Sequence, residues 1–239
     1  MKKQVLLLHG FTGSASDMTQ LSEELARRNM VVSVPPLPGH DTSVEHLETI
    51  KWEEWIQFSQ KTLDEFDRNA PRVIVALSMG TFIATVLAAN KSNQISGLVL
   101  LAPAFALQRP GRLGVILSKL GLYKILRFLH KTNGSDIQDP EARSENNAYK
   151  QIPLRSLVQF EELRKVALQK LKDVTCPVFL GFGAHDQTVD NVQAAKELES
   201  LSSKRVERHD YPRSGHVITV DFDREMLSAD VVRFIESLE

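Results

Sequence analysis

The chain has 239 residues, with 29 Lys and Arg against 30 Asp and Glu, a net charge of −1 and a pI of about 6.7. That balance excludes a basic face for nucleic acid and an acidic tail. Hydrophobic residues at 42% and charged residues at 25% suit a globular chain long enough for one sizeable α/β domain, and the single cysteine, Cys176, allows no internal disulfide.

The opening "MKKQVLLLHG" has an apolar core of only Val5 to Leu8, too short for a signal-peptide core, and no small-residue cleavage site follows. No apolar run approaches a membrane span. The expectation is a soluble, cytoplasmic protein without stable membrane insertion.

Short apolar runs then alternate with longer amphipathic stretches. The runs are "QVLLLH" (4–9), "MVVSV" (30–34), "RVIVAL" (72–77), "SGLVLL" (96–101), "PVFLGF" (177–182) and the weaker "RVERHDY" (205–211), expected at a sheet edge. Near-continuous apolar character marks strands covered on both faces. Between them lie "SDMTQLSEELARRN", with Ser16 as a plausible N-cap, and "WEEWIQFSQKTLDEFD", with Trp52, Trp55, Ile56, Ser59, Leu63 and Phe66 on one face. "NVQAAKELESL" and "MLSADVVRFIESL" follow the same period. Strand alternating with helix implies right-handed βαβ units and a mostly parallel sheet flanked by helices.

One interval interrupts this rhythm. Between Leu101 and Pro177 no strand is expected. The stretch Leu113–Leu129 reads as one helix with more apolar residues than a core-facing stripe requires, and the polar "KTNGSDIQDPEARSENN" follows it. The excess is expected to face a bound acyl chain, so residues 103–170 read as a helical cap over a core of 1–102 and 171–239.

Ligands in open parallel sheets bind at the carboxyl ends of the strands. There the sequence sets "HGFTGS" (9–14), "LSMG" (77–80), "GAHDQTV" (183–189) and "SGHVITV" (214–220). A serine, an acid and a histidine thus stand at three strand ends. Ser78, between strand and helix, is flanked by the small residues that a sharp turn needs, Ala76 and Gly80. A serine hydroxyl becomes a nucleophile when a base takes its proton. His216 is the candidate base, and Asp186 would fix its tautomer. Two backbone N–H groups would hold the oxyanion, those of Phe11 and Met79.

With "HGFTGS", "PPLPGHDTS", "ALSMG", "GAHDQTV" and "SGHVITVD" (214–221), the chain resembles the α/β-hydrolase superfamily over nearly its whole length, and within it the small bacterial carboxylesterases and monoacylglycerol lipases. The resemblance implies Ser78 as nucleophile, Asp186 as acid, His216 as base, Phe11 and Met79 as oxyanion donors, and a lid where the insert lies. The sequence departs from the pattern in three ways. Ala76 replaces the usual elbow glycine, Asp41 ends the usual "GHG", and the superfamily's first two strands are missing, leaving about six. Gly10, Val189 and Val217 beside the site, with Leu117 and Leu120 on the cap, are expected against the substrate.

The other polar residues have simpler readings. His9 is a loop organiser. His40 and His46 lack the clustered ligands of a metal site. Asp190 is an acid at a helix N-terminus, Asp210 lies in the last strand, and Cys176 is a small core residue. The expectation is therefore a serine carboxylic-ester hydrolase acting through an acyl-enzyme on short- to medium-chain esters or monoacylglycerols, with a small-molecule ester as its partner and neither cofactor nor metal. The nearest alternative is a thioesterase or acyltransferase using Arg109, Arg112, Lys119 and Lys124 for coenzyme A phosphates. An alternative from another class is a ligand-sensing protein on a hydrolase scaffold.

Overall fold

The computed structural model describes residues 1–131 and 134–238. In chain order the core elements are β1 (Gln4–Leu8), α1 (Thr19–Arg27), β2 (Val31–Ser33), α2 (Val44–Thr49), α3 (Trp52–Asp64), β3 (Arg72–Leu77), α4 (Gly80–Ala89) and β4 (Ile95–Leu101). The insert follows with α5 (Arg109–Lys119), β5 (Phe128–His130), α6 (Pro140–Glu145), β6 (Gln151–Pro153) and α7 (Leu154–Lys170). The chain closes with β7 (Val178–Gly183), α8 (Asn191–Leu198), β8 (Val206–Tyr211) and α9 (Arg224–Glu236).

Six strands form one parallel sheet in the order β2-β1-β3-β4-β7-β8, with the weak last strand at an edge. Alternate residues of each strand point to opposite faces. Leu6, Leu8, Ile74, Ala76, Leu98 and Leu100 therefore join a cluster with residues of α3, α4, α7 and α8. Val5, Leu7, Val73, Val75, Val99 and Leu101 join a second cluster with α1 and α9. β1, β3 and β7 are buried on both faces, which is why their runs are apolar almost throughout, whereas the edge strands β2 and β8 stay partly exposed. Each fully buried Leu or Val contributes roughly 1.5–3 kcal/mol.

The chain runs from β1 outward to β2 and then returns across β1 to β3. The order reverses between β1 and β3, and a crevice opens at the carboxyl ends of strands at such a point. Both "HGFTGS" and Ser78 leave the sheet there.

Three sequence expectations are corrected. Ser14, not Ser16, caps the first helical segment: its Oγ accepts the N–H of Ser16 at 3.1 Å, because a 3₁₀ turn over Ala15–Met18 precedes α1. The span Leu113–Leu129 is not one helix. Gly121 adopts φ +80°, which ends α5, and the chain passes through a 3₁₀ turn at Leu122–Lys124 into β5. The insert also contains strands, because β5 and β6 pair antiparallel, Phe128 opposite Pro153. Their length of three residues each leaves no periodic signal. Within residues 103–170, Phe160, Leu163 and Ala167 of α7 are buried in the same cluster as Phe82 and Leu98, so this helix also packs the core layer. Among the described residues no helix is long and apolar enough to cross a membrane.

Candidate active site

β3 delivers Ser78. The strand pairs Ala76 with Leu8 on one side and Leu100 on the other, and the N–H of Ser78 donates to Leu101 O at 2.9 Å. The residue then turns into the left-handed region, φ +54°, before α4 begins at Gly80. A non-glycine residue there is strained by about 1–3 kcal/mol, held by the packing around it. The turn tolerates no bulk. A Cβ at Gly80 would stand 2.5 Å from Leu8 O and 2.8 Å from His9 O, and one at Gly10 would stand 3.0 Å from Ser78 Cβ. Ala76 fits without exposure, its methyl group buried in the core cluster.

His216 Nε2 accepts from Ser78 Oγ at 2.8 Å, and His216 Nδ1 donates to Asp186 Oδ2 at 2.8 Å. Asp186 Oδ1 accepts the N–H groups of Thr188 (2.8 Å) and Val189 (2.7 Å), so the carboxylate is fixed from its own loop. Burial works to lower the imidazole pKa of His216. The charge and hydrogen bond of Asp186, with the charge of Asp136, outweigh it and raise the value above the ordinary one. The rival carboxylates lie elsewhere. Asp190 caps α8 by accepting the N–H of Gln193 at 3.1 Å, and Asp210 is exposed and paired with Arg208.

Among the described residues, the N–H groups of Phe11 and Met79 donate to no protein acceptor. The loop carrying Phe11 is held by two histidines. His9 donates through Nδ1 to Gly10 O (3.0 Å) and accepts the N–H of Leu37 at Nε2 (3.0 Å). His40 Nε2 accepts the N–H of Thr12 (3.1 Å), and burial pushes its pKa down to about 3. Both stay neutral and tie the turn after β1 to the "PPLPGH" segment. Tyr149 adds a third tie from the insert: its N–H donates to Thr12 O (2.8 Å) and its hydroxyl to Gly39 O (3.0 Å).

A cavity of about 370 Å³ opens over Ser78. Its lining is of two kinds. Leu107, Pro110, Gly111, Gly114, Leu129, Ile152, Leu157 and Phe160 are apolar, while Thr12, Asp17, Lys131, Ser135, Asp136 and Asn146 are polar. Of the residues expected against substrate, Gly10 and Val217 line this cavity, together with the expected catalytic residues Ser78 and His216 and the expected oxyanion donor Phe11. Val189 is buried and bridges to Leu107. Leu117 and Leu120 are not in the lining, and Leu120 is 78% exposed. α5 presents Gly111 and Gly114 to the cavity and turns Leu113 (55% exposed) and Ile116 (53%) outward, so the expectation that its leucines meet the acyl chain is corrected. Composition fixes how apolar a helix is but not which face its neighbours cover.

The polar half of the lining was not anticipated. Lys131 donates to Thr12 Oγ1 at 2.7 Å, and burial pushes its pKa down to about 8. Asp17 accepts from Asn146 Nδ2 (2.8 Å) and from the N–H of Ser14 (3.1 Å), with burial raising its pKa. Lys131, Ser135, Asp136 and Asn146 come from a polar stretch with no periodic or motif signal, far along the chain from Thr12 and Asp17. Arg112 pairs with Asp190 and Lys119 with Glu161, so two of the four cations weighed for a coenzyme A site are already partnered. Burial raises the Cys176 thiol pKa to about 11. Among the described residues no group of three or more His, Cys, Asp or Glu could hold a metal ion.

The arrangement can move a proton from a hydroxyl to an imidazole beside two open N–H donors. A family model described as serine aminopeptidase, S33 (Hydrolase_4) matches residues 1–223. The chain is 28% identical over 224 residues to a thermostable monoacylglycerol lipase of Bacillus sp. (strain H-257), covering 93% of this chain and 86% of that one. It is 26% identical over 240 residues to a carboxylesterase of Bacillus subtilis (strain 168), covering 99% and 94%. A solved structure reported for the metagenome-derived lipolytic enzymes LipS and LipT superposes with a TM-score of 0.89 at 23% identity, covering 98% of this chain and 94% of that one.

Proposed function

The chain belongs to the Hydrolase_4 family, serine aminopeptidase S33, and from that premise we propose that it is a serine carboxylic-ester hydrolase acting on short- to medium-chain acyl esters or monoacylglycerols. The observation that carries the reading is the 2.8 Å approach of Ser78 Oγ to His216 Nε2 in a crevice at the strand ends. The similarity to a monoacylglycerol lipase and a carboxylesterase supports the same class.

In this reading Ser78 Oγ attacks the ester carbonyl as His216 Nε2 takes its proton, and Asp186 stabilises the imidazolium. The N–H groups of Phe11 and Met79 hold the oxyanion of the tetrahedral intermediate. His216 returns the proton to the departing alcohol, leaving an acyl group on Ser78. Water then attacks, giving its proton to His216, and the carboxylic acid leaves as that proton returns to Ser78. The apolar wall takes the acyl chain and residues 103–170 act as the lid above it.

A chain-length series of p-nitrophenyl esters, run on the wild type and on Ser78→Ala, tests this. Turnover is expected to fall by on the order of 10⁶ in Ser78→Ala while the protein stays folded. A fluorophosphonate probe should label Ser78 alone. Near-normal hydrolysis by Ser78→Ala, or labelling at another residue, removes the assignment.

A further inference from the structure

Asp136 lies in the insert, between β5 and α6, yet it touches both loops that carry the acid and the base. Its Oδ2 accepts the N–H of Gln187 at 2.7 Å and the hydroxyl of Thr188 at 3.0 Å, on the two residues that follow Asp186. Its backbone carbonyl accepts the N–H groups of His216 (2.9 Å) and Val217 (3.1 Å). The side chain presses on Gly215, where a Cβ would stand 2.7 Å from Asp136 Oδ1. The segment is itself pinned. Asp221, fully buried, accepts the N–H of Gly215 (2.7 Å) and those of Gln138 (2.7 Å) and Asp139 (2.9 Å).

We propose that Asp136 is a positioning residue for the general base, locking the Asp186 loop and the His216 loop into one register from the insert. The inference rests on the triad roles given under the proposed function. It goes beyond them in making the site complete only when residues 134–139 are seated against β7 and the loop before α9.

The physical case is one of tolerance. Asp186 and His216 stand on separate loops that share a direct backbone bond ahead of each residue, His185 N–H to Ser214 O at 2.9 Å. Asp136 adds the ties at His216 itself and at the two residues beyond Asp186, so that acid and base are held from both sides. A misplacement of about 1 Å costs on the order of 10²-fold in rate. The charge has a second effect. The charged groups facing His216 are Asp186, Asp136 and Lys131, and the two carboxylates favour the imidazolium while the lysine opposes it. Removing the Asp136 charge therefore makes the imidazole easier to deprotonate.

Two variants separate geometry from charge. Asp136→Ala removes both side-chain hydrogen bonds and is expected to lower kcat on an acetate ester by on the order of 10²-fold, with KM nearly unchanged. Asp136→Asn keeps an acceptor oxygen for Gln187 and Thr188. It is expected to recover most of kcat while the acidic limb of kcat/KM moves to lower pH. A lower melting temperature in Asp136→Ala with wild-type kcat, or a loss confined to KM, would mean that the residue is only a structural tie. Should the alanine variant not fold, an unshifted acidic limb in Asp136→Asn overturns the inference by itself. Fluorophosphonate labelling of the wild type keeps the two readings apart. Labelling away from Ser78 removes the proposed function, whereas a labelled Ser78 with an indifferent Asp136 removes only this inference.

Discussion

Asp186 Oδ2 meets His216 Nδ1 at 2.8 Å in a site where both side chains are almost wholly buried. The contact fixes which imidazole nitrogen carries the proton, leaving Nε2 free to accept from Ser78. Asp186→Asn keeps the shape and removes the charge, so turnover is expected to fall by about 10⁴ while substrate binding persists. Asp190→Asn still caps α8 and Asp210→Asn is exposed, so both should retain nearly full activity. If Asp190→Asn proved the more damaging, the acid would have been assigned to the wrong loop.

The second expectation concerns pH. The proposed reaction needs neutral His216, and its carboxylate neighbours raise its pKa above the ordinary 6.5. Activity is therefore lost as pH falls through a value above 6.5, and the acidic limb of kcat/KM should lie there. Lys131 opposes the imidazolium, so Lys131→Met should move that limb further up, opposite in sign to Asp136→Asn. Limbs that shift the same way in both variants would count against this charge arrangement.

A third expectation follows from the buried Lys131. Its pKa is about 8 in the folded chain against 10.5 in the unfolded one. The unfolded state binds the extra proton between these values, so this group makes the fold gain stability as pH rises from about 8 to 10.5. A displacement of that size corresponds to roughly 3 kcal/mol. Denaturant titrations of wild type and Lys131→Met across that range should show the difference between them changing with pH. A constant difference would mean that Lys131 stays charged.

The acyl-chain expectation now concerns Gly114 rather than the outward leucines of α5. Each buried methylene contributes roughly 0.8 kcal/mol, about fourfold in kcat/KM, until the apolar wall is filled. A Cβ at Gly114 would already lie 3.3 Å from Leu157 Cδ1. Gly114→Leu should therefore shift the optimum to shorter acyl groups. Leu120→Asp, at a 78% exposed position, should leave the profile unchanged. A profile altered by Leu120→Asp and indifferent to Gly114→Leu would place the acyl chain outside this cavity.

The six strands, the continuous burial of β1, β3 and β7, and the placing of Ser78, Asp186 and His216 beyond strand ends were legible in the sequence because each depends on local chemistry. A both-faces-buried strand must be apolar at every position, and a nucleophile turn must be small on either side. His9, read as a loop organiser, holds Leu37 as well as Gly10, and Asp190 caps a helix. Tertiary structure alone decided the rest. An apolar helix has no means of stating which face its neighbours cover, so Leu113 and Ile116 of α5, and Leu120 just beyond it, turned outward against expectation. Gly121 broke a helix that periodicity alone would continue. Asp136 and Lys131 reach the site from a polar stretch whose composition suggests only solvent, because their partners lie on strand-end loops far along the chain. Pairings over such distances are set by how the sheet stacks its loops at one edge, and no local propensity records them.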